Sequence, residues 1–80
     1  MAKLLFLGRL EDLAGVPELE VPLQEPTPLA DLLLMVPQSL GGVLAEDKIK
    51  LALNGELCAR EGLVIGNGDE LAFLPPVSGG

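Results

Sequence analysis

Apolar and polar positions alternate, cluster or recur along the chain in patterns that assign most of its elements. Leu4-Leu5-Phe6-Leu7 is an apolar run of strand length, and Leu19-Glu20-Val21-Pro22-Leu23 alternates as a half-buried strand should. Pro22 has no N–H to give to a ladder, so the second strand sits at a sheet edge or turns that position outward. Between them, Leu10, Leu13 and Ala14 recur at helical spacing until Gly15, Val16 and Pro17 stop the turn. Thr27 followed by Pro28 reads as a helix start, an N-cap side chain before a proline whose missing N–H costs nothing there. Leu29, Leu32, Leu33 and Val36 then form one apolar stripe that Pro37 ends, with Asp31 off the stripe near the positive end of the helix dipole.

Further along, Leu40, Val43 and Leu44 predict a short helical piece around Gly41-Gly42. From Lys48 to Leu53 the alternation returns, Asn54-Gly55 is a favoured two-residue hairpin turn, and Glu56-Leu57-Cys58 begins the return strand. With Ile49, Leu51 and Leu53 turned toward the helix, such a turn puts Glu56 and Cys58 on the same side and Leu57 on the other. Gly66-Asn67-Gly68 makes a second turn into the strand Asp69 to Leu74, with Leu71 and Phe73 inward and Ala72 and Leu74 outward. Leu57 and Leu74, with Leu5 or Leu7, are then expected to form an apolar patch on the open sheet face, a partner interface unless these are merely scattered surface leucines. The order strand, strand, helix, strand, strand, strand predicts an α+β fold with a mixed sheet of about five strands, one main helix and short helical turns. That is the ubiquitin-like β-grasp architecture. Residues 1–74 are expected to form the domain and residues 75–80 an extended tail.

Eighty residues fit one domain. A hydrophobic content of 49% against 21% charged residues argues for a folded globule and against disorder. Twelve acidic and five basic residues give a net charge of −7, and Lys3, Arg9, Lys48, Lys50 and Arg60 are scattered, so nucleic acid is not an expected partner. The acidity serves solubility or steers the domain toward a basic docking face; composition does not separate the two. The run Leu4 to Leu7 is too short for a secretory or membrane-spanning segment. Cys58 is the only cysteine, so no internal disulfide forms, and a cytoplasmic location is expected.

Conventional catalytic equipment is missing. With no histidine in the chain, Ser-His, Cys-His and histidine-metal sites are excluded, and no spaced cysteines are present for zinc. No Gly-Lys-Ser or Gly-Lys-Thr completes a phosphate-binding loop. No spacing singles out an acid/base pair among the carboxylates. Cys58 reads as a small buried hydrophobe rather than a nucleophile. Asp69-Glu70 reads equally as a turn-flanking structural pair and as rim charges for a basic partner. The domain is therefore expected to be no enzyme by itself, with no metal and no bound cofactor.

The last six residues, Pro75-Pro76-Val77-Ser78-Gly79-Gly80, carry the functional signal instead. Glycine has no Cβ, so a Gly-Gly end threads a narrow channel and presents a bare carboxylate to an active site on another protein. Pro75 and Pro76 fix two φ angles and favour an extended exit, which lowers the entropy lost on docking. Fully extended, these residues span roughly 20 Å. A frayed terminus is the bland alternative. Gly41-Gly42 shows that the dipeptide alone carries no function; its position does.

The segment Gly68 to Gly80, ending Pro-Pro-Val-Ser-Gly-Gly, resembles the C-terminal signature of the small subunit of molybdopterin synthase. Lys3 to Leu10 with Leu13-Ala14-Gly15 resembles that family's first strand and helical turn, and Leu53-Asn54-Gly55 its mid-chain turn. The resemblance covers the whole chain and implies sulfur carriage for molybdenum cofactor biosynthesis. An adenylyltransferase related to ubiquitin activators would use ATP and Mg to join the Gly80 carboxylate to AMP, giving the poor electrophile a leaving group. Sulfide from a persulfide donor would displace AMP and leave a thiocarboxylate on Gly80. The tail would then enter the large subunit of molybdopterin synthase, in a heterotetramer, and give its sulfur to a pyranopterin precursor of molybdopterin. By the same resemblance Gly80 carries the acyl group, Gly79 gives the slim approach, and Ser78 and Val77 meet tunnel walls. A sulfur carrier of another pathway (thiamine or tRNA thiolation), a ubiquitin-like protein modifier and a plain interaction domain remain as alternatives.

Overall fold

In the computed structural model, which describes residues 1–76, the chain runs β1 (Ala2–Phe6), α1 (Arg9–Ala14), β2 (Glu18–Val21), β3 (Thr27–Pro28), α2 (Leu29–Leu33), α3 (Gln38–Leu44), β4 (Lys50–Leu53), β5 (Glu56–Cys58), β6 (Val64–Ile65) and β7 (Glu70–Leu74). Five strands form a mixed sheet in the order β2-β1-β7-β4-β5. The first and last strands pair in parallel at its centre, and the other three pairings are antiparallel. Alternation explains the layering. Leu4, Phe6, Leu51, Leu71 and Phe73 point to one face and are at most 2% exposed, while their neighbours Leu5, Ala52, Ala72 and Leu74 lie on the other face, half-buried. Leu10 of α1, Leu29, Leu32 and Leu33 of α2, and Leu40 and Leu44 of α3 close over the first face in a single core cluster. Among the described residues no polar or charged side chain is buried, so the side chains of the interior contribute through apolar burial.

Several boundaries differ from the sequence expectation, each for a local reason. Thr27 does not cap a helix. Its hydroxyl donates to the Glu25 carbonyl, and Thr27–Pro28 pair antiparallel with Val64–Ile65 in a separate two-stranded sheet that no periodicity announced. Pro28, with φ −60° and ψ 150°, is therefore the N-cap, and the helix starts one residue later than expected. The expected main helix also ends early, at Leu33. Leu34 and Met35 N–H groups donate to Asp31 and Leu32 carbonyls in tighter i to i+3 bonds, because Pro37 denies helical geometry to Val36. Val36 is nevertheless buried, so the stripe was right and its geometry was not. The longest helix is α3.

At the sheet, β1 takes in Ala2 and Lys3 and leaves Leu7 outside, exposed. β2 stops at Val21, before Pro22, and occupies an edge of the sheet. Ile49 is buried just before β4, its N–H closing a turn to the Glu46 carbonyl. Asn54 and Gly55 take φ of 52° and 88°, as a hairpin turn of type I′ needs, and the register Leu51↔Cys58, Ala52↔Leu57 follows.

The two internal glycines of α3 have opposite roles. A Cβ on Gly41 would stand 2.8 Å from the Leu33 carbonyl oxygen, whereas one on Gly42 meets nothing within 4 Å. Gly41 is what lets α3 lie against the end of α2. Gly41→Ala is expected to cost about 1–3 kcal/mol from forced separation of the helices. Gly42→Ala is expected to stabilise by up to about 1 kcal/mol through helix propensity alone. Urea unfolding of the two variants measures the contrast.

Candidate functional site

The register builds the open face residue by residue. Leu5 of β1 lies beside Ala72 of β7, Ala72 beside Ala52 of β4, and Ala52 beside Leu57 of β5. One apolar row thus crosses four adjacent strands, about 14 Å at the usual strand spacing. Leu74 stands on the same face, paired with Lys50. Leu57 is 75% exposed, and Leu74 is half-buried. Leu57, Leu74 and Leu5 therefore share this face, while Leu7 lies past the end of β1. Small alanines at the centre and leucines around them make a shallow apolar surface rather than a pocket.

Charge borders one side of the row. Glu20, Lys3 and Glu70 stand across β2, β1 and β7, with Glu18 beside Leu5. Lys3 Nζ lies 3.2 Å from Glu18. That hydrogen bond and charge attraction hold the ammonium above its ordinary pKa, with smaller contributions from Glu70 and Glu20.

The tail begins where this surface ends. β7 is the central strand of the sheet, Leu74 is its last residue, and Pro75 and Pro76 follow, both half-buried. A partner that covers Leu74 is therefore also beside the chain leaving the sheet. Val77, Ser78, Gly79 and Gly80, assigned from sequence to the tail's chemistry, lie outside the described residues.

Of the pair Asp69-Glu70, the Asp69 side chain has a structural role, while Glu70 stands among the charges beside the row. Asp69 accepts from the Gly66 N–H at 2.7 Å and from the Asn54 side-chain amide at 3.0 Å, and Asn54 in turn accepts from the Glu70 N–H at 2.9 Å. Asp69 thus ties the turn before β7 to the hairpin after β4. The bond from Asn54, then that from Gly66, holds its carboxyl below the usual carboxylate range. A depressed carboxyl contributes stability that is present above the unfolded-state pKa and is lost as pH falls through the folded-state value. Asp69→Asn turns an acceptor into a donor facing Asn54 or Gly66. It is expected to lose about 1 kcal/mol at neutral pH. The gap from wild type should narrow as the solution is acidified, and denaturant titrations across pH measure it.

Arg60 has a role that its sequence position hid. Its guanidinium donates to the carbonyls of Leu44 at 3.2 Å, Glu46 at 2.8 Å and Ile49 at 2.9 Å, closing the C-terminal end of α3 and the approach to β4. Cys58 lines the same surface depression as Arg60, half-buried, with its thiol 3.8 Å from the Leu51 carbonyl. Because that guanidinium is committed to carbonyls, it is not free to activate the thiol. Among the described residues no three Cys, Asp or Glu side chains gather to hold a metal, and no helix is long and apolar enough to cross a membrane.

A β-grasp domain of ubiquitin-like type, with a helix-covered mixed sheet and a glycine-ended run after its central strand, is the class that these features define. Residues 4–80 match the ThiS family, and the chain belongs to it. It is 37% identical over 83 residues to the molybdopterin synthase sulfur carrier subunit of Anopheles gambiae, covering 98% of this chain and 90% of that one. The crystal structure of SAMP1 from Haloferax volcanii superposes with a TM-score of 0.78 at 27% identity, over 99% of this chain and 98% of the other. A chain in the complex of subunits 1 and 2 of the molybdopterin-converting factor from Helicobacter pylori shares the fold, with a TM-score of 0.66 at 22% identity over 99% of this chain and 97% of its own.

Proposed function

We propose that the chain is a sulfur carrier for molybdenum cofactor biosynthesis, the small and by itself non-catalytic subunit of molybdopterin synthase. The observation that carries the reading is the 37% identity, over 98% of the chain, to a molybdopterin synthase sulfur carrier subunit. The chemistry fits the residues. The Gly80 carboxylate, unreactive as an anion, is joined to AMP by a ubiquitin-activator-like adenylyltransferase with ATP and Mg, and pyrophosphate leaves. The terminal sulfur of a persulfide donor then displaces AMP to give an acyl disulfide, a thiol reduces that disulfide and releases the thiocarboxylate, and its sulfur passes to the pyranopterin precursor inside the large subunit while water restores the Gly80 carboxylate. Pro75 and Pro76 stiffen the exit, Val77 and Ser78 contact the channel walls, and Gly79 keeps the approach narrow. Leu57 and Leu74 dock the domain, and the large subunit receives the tail from the adjoining edge of that face. Two carriers on a dimer of large subunits supply the two sulfurs of each product.

A second reading, attachment of Gly80 to lysines of other proteins, draws on the likeness to a chain described as a small archaeal modifier protein. Chain-dependent pyrophosphate release from ATP by the adenylyltransferase tests the activation that both readings share. An absence of release contradicts both.

A further inference from the structure

We infer that Gly8 is a positioning residue for the tail, a seat that fixes the direction in which the chain leaves the central strand. The functional consequence rests on the sulfur-carrier reading; the geometry does not. β1 and β7 pair in parallel as far as Phe6↔Phe73, whose rings stack with centroids 5.9 Å apart. The Leu7 N–H closes that last pair by donating to the Phe73 carbonyl at 3.2 Å, and the next residue, Gly8, lies against Pro75.

Gly8 has φ 57° and ψ −135°, a conformation nearly closed to side-chain-bearing residues. A Cβ there would stand 3.1 Å from Pro75 Cγ. The proline ring thus occupies the space that a side chain would claim. Gly15, Gly55, Gly62 and Gly68 also have positive φ, yet a Cβ on any of them meets nothing within 4 Å. Gly8 is distinguished from these turn glycines by what it accommodates. A proline with its own φ fixed by the ring and one side of that ring seated against the β1–α1 turn has little freedom in where it sends the following residues.

The test uses the full chain with Gly8→Ala, Pro75→Ala, the double variant, and Gly15→Ala as a control for strain at an open glycine. In the adenylation assay Gly8→Ala should lower kcat about tenfold with little change in KM, because the docking face is intact while the tail is misdirected. Pro75→Ala should lower kcat by a smaller factor, and the double variant should lose clearly less than the two single losses combined, since without the ring only the backbone strain of a side chain at position 8 remains. Gly15→Ala should leave kcat unchanged. Cα–Hα residual dipolar couplings of Pro76 supply a readout independent of loading: they should fit the alignment of the sheet in the wild type and depart from it in Gly8→Ala and in Pro75→Ala. Additive losses in the double variant, or couplings that fit equally in wild type and both single variants, would overturn the seat. A wild-type chain that is never adenylated, with couplings that behave as stated, contradicts the carrier reading and leaves the seat standing.

Discussion

Deleting Gly80 is expected to abolish sulfur loading while leaving the melting temperature of the domain unchanged. The loss should be complete because the carboxylate is the reacting group, and the new terminal carboxylate, on Gly79, is set back by one residue, about 3.5 Å of extended chain. In-line attack tolerates far less displacement than that. Stability should not move because the core cluster is built from residues between Ala2 and Phe73, and the central strand ends at Leu74. Mass spectrometry after incubation with the activating partner and thermal unfolding of the same sample check the two halves. Full loading of the truncated chain would refute the assignment of Gly80.

Leu57→Asp and Leu74→Asp are each expected to weaken binding to the large subunit by about 30-fold or more, the mark of a residue worth at least about 2 kcal/mol at an interface. An aspartate there exchanges apolar contact for a carboxylate that must be desolvated when the row from Leu5 to Leu57 is covered. The cost to folding should be small for Leu57, which is 75% exposed in the free domain. Leu74 is half-buried at the end of β7, so its variant should lose some stability as well, and titration calorimetry beside thermal unfolding separates the two effects. Unchanged binding in both variants would place the docking surface elsewhere. KM in the adenylation assay should rise with these substitutions if the activating enzyme uses the same face, in contrast with the kcat effect expected at Gly8.

Much of this surface was legible in the sequence because strand parity is strict. Once Leu71 and Phe73 point inward, Ala72 and Leu74 cannot, and a two-residue turn carries the same logic from Leu51 to Cys58 and Leu57. The tail is a motif read from sequence, and its last four residues lie outside the described ones. What escaped depends on groups brought together from distant parts of the chain. Thr27-Pro28 has the local chemistry of a helix start, and only its pairing with Val64–Ile65 makes it a strand. Two-residue strands have no period to detect. Arg60 looked like one more scattered cation because its three carbonyl partners come from α3 and the segment after it. Gly41 and Gly42 are indistinguishable in sequence, yet only Gly41 faces the Leu33 carbonyl. Gly8 has no local signal to set it apart from the turn glycines, and its contact with Pro75 spans nearly the whole chain.

The central claim is that this chain carries sulfur on its last residue, and the intact mass of the full chain tests it most directly. After incubation with the adenylyltransferase, ATP, Mg, a persulfide donor and a reducing thiol, the mass should rise by the exchange of one oxygen for sulfur, mapped to the peptide ending at Gly80. Conjugates of higher mass without that increment would indicate a protein modifier instead, and an unchanged mass would contradict sulfur carriage.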